Sequence, residues 1–261
     1  MSTIKMKLLD KNSRTLVASA EDDCVSIVYS AAYNEGDAIL LETDAEGTYC
    51  VFQPDDALVP SLIYCKERVC KYKIPFGSDK IVFSPKAFAG DRHLIRTRVA
   101  TDAEVSTYRN LALNTADRHG DNGYFPHASA NVETRGEAVF AAYNAIDGIF
   151  ENASHGEWPY ESWGINRDPE AALTIDFGRE VEVDAAALTL RADFPHDSYW
   201  TAATLTFSDG SEEILQLVKT PKPQKFTFEK RKITWAKLSN LIKAKDESPF
   251  PALTQIEVFG V

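Results

Sequence analysis

The sequence predicts an all-β chain of two domains, on three observations. Short runs rich in β-branched and aromatic residues recur along it, separated by clusters of Gly, Pro, Asn and Asp. Several runs alternate strictly. In residues 173–178 (LTIDFG), Leu173, Ile175 and Phe177 face one way while Thr174 and Asp176 face the other. The 261 residues, 44% hydrophobic and 11% aromatic, suffice for one large domain or two ordinary ones, each with a core.

In chain order, residues 1–108 read as the smaller, β-rich domain, a sandwich or small barrel. Strands are expected at 25–29 (VSIVY), 38–42 (AILLE) and 49–52 (YCVF), with turns at 34–37 (NEGD), 44–47 (DAEG) and 54–56 (PDD). Further strands are expected at 62–65, 70–74, 80–84 and 93–100. A helical turn capped by Thr101 or Asp102 leads onward. Residues 109–261 form the second domain. Within it, 186–191 alternates, with Leu188 and Leu190 on one face and Thr189 and Arg191 on the other. Residues 204–207 repeat the pattern, and 208–211 (SDGS) supply the positive φ of a tight hairpin. Strands at 214–218, 226–228 and 233–238 continue the series.

Charge excludes two partner classes. A net charge of -11 argues against nucleic acid and against an anionic membrane, since both need clustered Lys and Arg. Such a balance is common among soluble bacterial proteins. The opening residues carry no uninterrupted apolar run, and no stretch of about 18 apolar residues occurs anywhere, so a cytoplasmic protein is expected. The cysteines, Cys24, Cys50, Cys65 and Cys70, fit no common zinc spacing. Free thiols packed in the strands of a reduced protein are expected over zinc or disulfides.

Five short motifs in the C-terminal half follow one order: 110–114 (NLALN), 144–148 (NAIDG), 173–178 (LTIDFG), 181–184 (VEVD) and 256–260 (IEVFG). In that order they resemble the discoidin or galactose-binding-like domain, as found in coagulation-factor C-type domains and many bacterial carbohydrate-binding modules. The resemblance covers residues 110–261 and implies a jelly-roll β-sandwich there. It also implies a structural calcium ion. By position its ligands would be the carbonyls of Asn144 and Ile256 and the side chains of Asp147 and Glu257, with Asn152 adding an oxygen. The sequence departs from the pattern at Ile149, where an Asp or Asn is common. The plainer alternative is that Asp147 merely closes its turn and Glu257 is solvated.

Two loops carry mixed chemistry. His155, Glu157, Trp158, Tyr160 and Trp163 crowd one; Arg191, Asp193, His196, Asp197 and Trp200 follow the strand that ends near 191. Sugar recognition combines a flat ring on the C–H face of a pyranose with planar charged groups for vicinal hydroxyls, and both loops offer both. The resemblance makes His155, Arg191 and Trp158 or Trp163 the leading contacts, with Glu157, His196, Asp197 and Trp200 completing the set. Against this stands packing. Two of the four tryptophans are expected to be structural, Trp235 first among them. A third polar cluster at 118–127 lacks the spacing of a transition-metal site and reads as loop decoration.

The leading expectation is a non-catalytic carbohydrate-binding protein, alone, as a homo-oligomer or beside a partner enzyme. The alternatives are a glycoside-active enzyme that pairs Glu157 or Glu161 with Asp193 or Asp197, and a scaffolding subunit whose exposed aromatics bind another chain.

Overall fold

A computed structural model describes residues 2–151, 157–192 and 198–261. The chain divides into two compact units, Met1–Ser106 with Asn114–Phe125, and Thr107–Leu113 with Pro126–Val261. Every strand pairing among the described residues is antiparallel.

The first unit opens with β1 (Ile4–Leu9), β2 (Thr15–Asp22), β3 (Cys24–Tyr29), β4 (Ala38–Thr43) and β5 (Thr48–Gln53). It continues with β6 (Ser61–Cys65), β7 (Val69–Lys73) and β8 (His93–Val99). One sheet runs β2-β1-β4-β7. Alternation gives each sheet one buried face: Ile4, Met6 and Leu8 on β1, and Cys50 and Phe52 on β5, are sealed from solvent. The T-shaped contact of Phe52 with Tyr72, 5.8 Å between centroids, joins β5 to β7 across the resulting sandwich. Residues 80–84 are not a strand. Gly77–Val82 form a 3-10 turn closed by the bond from Phe83 N to Lys80 O, in keeping with the turn-forming Gly77, Ser78 and Asp79 and with Pro85. Thr101 does cap the short helix Asp102–Ser106, through a reciprocal pair of bonds with Glu104.

All four cysteines are free; Cys50, Cys65 and Cys70 are buried and Cys24 is exposed. Hydrogen bonding with Cys50 and then Cys70, followed by burial, pushes the Cys65 thiol well above its ordinary value. It is held as the inert protonated form.

The second unit begins with β9 (Arg109–Asn110); β10 (Tyr124–Phe125) belongs to the first, where it pairs with β6 and completes the sheet β10-β6-β5-β8-β3. Then follow β11 (His127–Ala130), β12 (Trp163–Gly164), β13 (Leu173–Leu190), β14 (Trp200–Phe207), β15 (Glu212–Gln216), β16 (Gln224–Lys243) and β17 (Ala252–Gly260). The path is β12-β17-β13-β16-β14-β15, with β11 on β13 and β9 on β17. β13 and β16 span both layers. The first part of β13 pairs with β11 and the second with β17, and register shifts after Asp176 and Val183 mark where it bends. The layers enclose one core that includes Leu173, Ile175, Phe177, Leu188, Leu205, Phe207, Ile256 and Val258. This is a jelly-roll sandwich, and the whole molecule is all-β. Among the described residues no helix is long and apolar enough to cross a membrane.

Two tryptophans sit in that core, and they are not the one expected. Trp163 and Trp200 are fully buried and pack at 6.4 Å, whereas Trp235 is half-buried. The bend explains this. Trp235 lies opposite exposed Asp176, and the register shift that follows sends Ile233 inward, so Trp235 is left on the outer face.

Candidate binding cleft

A cleft opens in the second unit where four pieces of chain meet: the turns after Val132, the segment around β12, the end that follows β13 and the end that precedes β17. Its walls are held by bonds between side chains and backbone. Trp163 Nε1 donates to Val132 O at 3.0 Å, and Asn166 N donates to Thr134 Oγ1 at 2.9 Å. Asn144 Nδ2 donates to Ala138 O at 2.8 Å. β12 is itself fixed to β17, with Gly164 opposite Ala252. A Cβ on Gly164 would lie 2.6 Å from Thr134 Oγ1, so only glycine lets these walls approach. Gly164→Ala should therefore narrow the cleft and cost about 1 to 3 kcal/mol of stability by overpacking, readable as a lowered melting temperature.

The cleft encloses about 100 Å³ and is open at its mouth. Three arginines line it, each over a ring. Arg167 lies 4.3 Å from the centroid of Phe250, Arg135 lies 5.4 Å from that of Phe140, and the Arg191 guanidinium covers the face of Tyr160. Arg191 is held by its backbone, whose N–H donates to Ala252 O at 3.0 Å, and it is 1% exposed. Thr134, Ser162 and Asn166 add polar groups to the wall. The Ser162 hydroxyl is buried and has no hydrogen-bond partner among the described residues. Among the described lining residues there is no carboxylate; buried Glu161, between Tyr160 and Ser162, is not one of them.

The backbone here is strained. Arg135 (φ 54°), Asn166 (φ 50°) and Arg167 (φ 62°) all adopt the left-handed conformation that bulky residues avoid. The turn from Ile165 to Asp168, closed by a 2.9 Å bond, sets both Asn166 and Arg167 in that region. Such strain persists where surrounding structure imposes it, and it gathers at functional sites. Arg135 also holds Glu137 through two bonds, of 2.5 and 2.7 Å, which keep the Glu137 carboxyl below its ordinary value.

Of the residues expected to touch a ligand, Arg191 lines this cleft. Trp158 is partly exposed next to the cis bond to Pro159, and neither it nor exposed Glu157 is among the lining residues. Trp163 and Trp200 require a correction. Both are wholly enclosed by the core and offer no face to a ligand; Trp163 supports the wall from behind through Val132. His155, His196 and Asp197, with Asp193, lie outside the described residues, as does Asn152. Sequence reasoning passed over Phe140, Asn166, Arg167 and Phe250. The only signal for the last three was turn chemistry, Asn166 to Pro169 and Ser248 to Pro251, which announces a loop and not its contents.

Of the implied calcium ligands, Asn144 O and Asp147 Oδ1 do converge, but on the side-chain amide of Gln255. Its Nε2 lies 2.7 Å from Asn144 O, from Asp147 Oδ1 and from Thr254 O, while its Oε1 accepts from Gly148 N at 2.9 Å. Two amide hydrogens thus serve three oxygens. Ile256 is buried in the core, and Glu257 is half-buried on β17, its carboxyl raised by burial and only partly lowered by Lys225. Calcium takes six to eight oxygens, and of those expected here Asn144 O and Asp147 Oδ1 are brought together among the described residues.

No protein-family model matches the chain, and no curated protein does. Solved structures do. The chitosan-binding module 1 of a Paenibacillus sp. IK-5 chitosanase/glucanase is 20% identical, over 58% of this chain and 98% of that one, with a TM-score of 0.36. The family 32 carbohydrate-binding module of Clostridium perfringens NanJ, solved with galactose, is 19% identical over 51% and 91%, with a TM-score of 0.39. The lectin domain of lectinolysin, solved with Lewis B antigen, is 17% identical over 58% and 96%, with a TM-score of 0.42.

Proposed function

We propose that the second unit binds carbohydrate without transforming it, and that the cleft around Arg167, Arg191 and Phe250 receives the sugar. The observation that carries this reading is the pairing of rings with planar donors around one opening. Phe250 and Phe140 bring apolar rings to the cleft, as the C–H face of a pyranose requires, while the Arg135 and Arg167 guanidinium groups and Asn166 match neighbouring hydroxyls. The unmet Ser162 hydroxyl supplies one more group for a ligand to satisfy.

A glycan-array screen followed by titration calorimetry tests the reading. Phe250→Ala should weaken the best glycan by roughly tenfold, the worth of about 1.4 kcal/mol of ring contact. Trp158→Ala, outside the lining, should leave affinity within twofold. The reverse pattern would move the site to the Trp158 loop. Turnover of a glycoside by the parent protein would make it an enzyme instead.

A further inference from the structure

Resting on that reading, we infer that the ligand is an acidic sugar and that Arg167 receives its carboxylate. The protein as a whole carries a net charge of -11, yet the described lining of this cleft holds three arginines and no acid. The three are not equivalent. Arg135 is engaged by Glu137, and Arg191 is buried over Tyr160. Arg167 is exposed and has no carboxylate partner among the described residues; its contact is the ring of Phe250. A left-handed backbone at Asn166 and Arg167, costly for side chains of this size, holds it in the cleft lining.

That combination selects for charge and for shape. A guanidinium laid over a ring keeps its N–H edges free, and its fork matches the two oxygens of a carboxylate. A neutral sugar would leave this fork with hydroxyls alone. An acid on the pyranose, as in a uronic or sialic acid, would reach the guanidinium edge while a sugar face covers Phe250. Arg191 and Arg135 line the same opening, the latter already held by Glu137.

The test pairs acidic glycans with neutral counterparts of the same backbone, such as sialyllactose with lactose and oligogalacturonate with galacto-oligosaccharide. Sulfated oligosaccharides form a third arm. The acidic member should bind at least tenfold tighter, and the preference should shrink severalfold between 50 and 500 mM NaCl. Arg167→Gln should abolish both the preference and its salt dependence; Arg167→Lys should keep part of the preference. Equal binding of acidic and neutral partners, with Phe250→Ala still weakening both, overturns the acidic ligand and leaves the carbohydrate cleft standing. Binding confined to sulfated glycans overturns the carboxylate. Binding to no glycan overturns the carbohydrate reading and this one with it.

Discussion

Trp163→Ala is expected to cost about 3 to 5 kcal/mol, enough to lower the melting temperature of the second unit by ten degrees or more. Trp163 is wholly buried and packs against Trp200. Its loss would leave a cavity of indole size and an unmet carbonyl at Val132, which Trp163 Nε1 satisfies at 3.0 Å. The same turns carry Thr134 and Arg135, so ligand binding should weaken along with stability. Trp163→Phe separates the two losses. It keeps most of the volume and drops the hydrogen bond, so it should destabilise by only about 1 to 3 kcal/mol. Trp158→Ala should shift melting hardly at all, since a partly exposed residue loses little burial. A differential scanning experiment on the three variants checks the assignment. Equal shifts for Trp158→Ala and Trp163→Ala would contradict the buried placement.

Gln255→Ala should be the other severe change, by about 2 to 3 kcal/mol or roughly 5 to 10 °C. One amide joins β17 to the 144–148 turn by bonds to Asn144 O, Asp147 Oδ1 and Gly148 N, and alanine would remove all three. EDTA should leave the melting of the parent protein unchanged after incubation with calcium, because the partial positive charge that holds the turn belongs to the amide. Gln255→Glu should be unstable alone, with a second carboxylate against Asp147, and should recover when calcium is added. A parent whose melting temperature falls with EDTA would show that the turn depends on an ion after all.

Strand existence was legible wherever burial imposed alternation. Leu173, Ile175 and Phe177 announce the first part of β13, and Leu188 and Leu190 its end, because each position faces either core or solvent. The jelly roll was legible for a similar reason, since its motifs come in a fixed order. Residues 80–84 misled because Ile81, Val82 and Phe83 look like a strand, while the turn is decided by Gly77 to Asp79 before them and Pro85 after. The tryptophans misled because indole serves a core and a sugar equally well. That Trp235 stays outside depends on the register of β16 against β13, and no local pattern encodes that. Gln255 was invisible for another reason. Its partners lie 107 to 111 residues away, and a lone glutamine in a strand looks like any solvated residue. Arg135 and Arg167 escaped notice because turn residues advertise flexibility of path, whereas Arg191 stood out at the end of an alternating strand.

The two long strands that belong to both layers have a consequence for how the sandwich comes apart. In a sandwich of separate sheets, one layer can loosen and leave the other standing. Here β13 carries rungs to β11, β16 and β17 along a single stretch of backbone, and β16 carries rungs to β13 and β14. Opening either layer therefore drags on the other, and no partial separation is cheap. Amides along the middle of β13 should exchange with deuterium only through global opening, all at one slow rate, while those of the edge strand β15 exchange sooner through local fraying. A module built in this way can display a strained loop at its end without softening its interior, because the cost of the loop is spread through a frame that yields everywhere or nowhere.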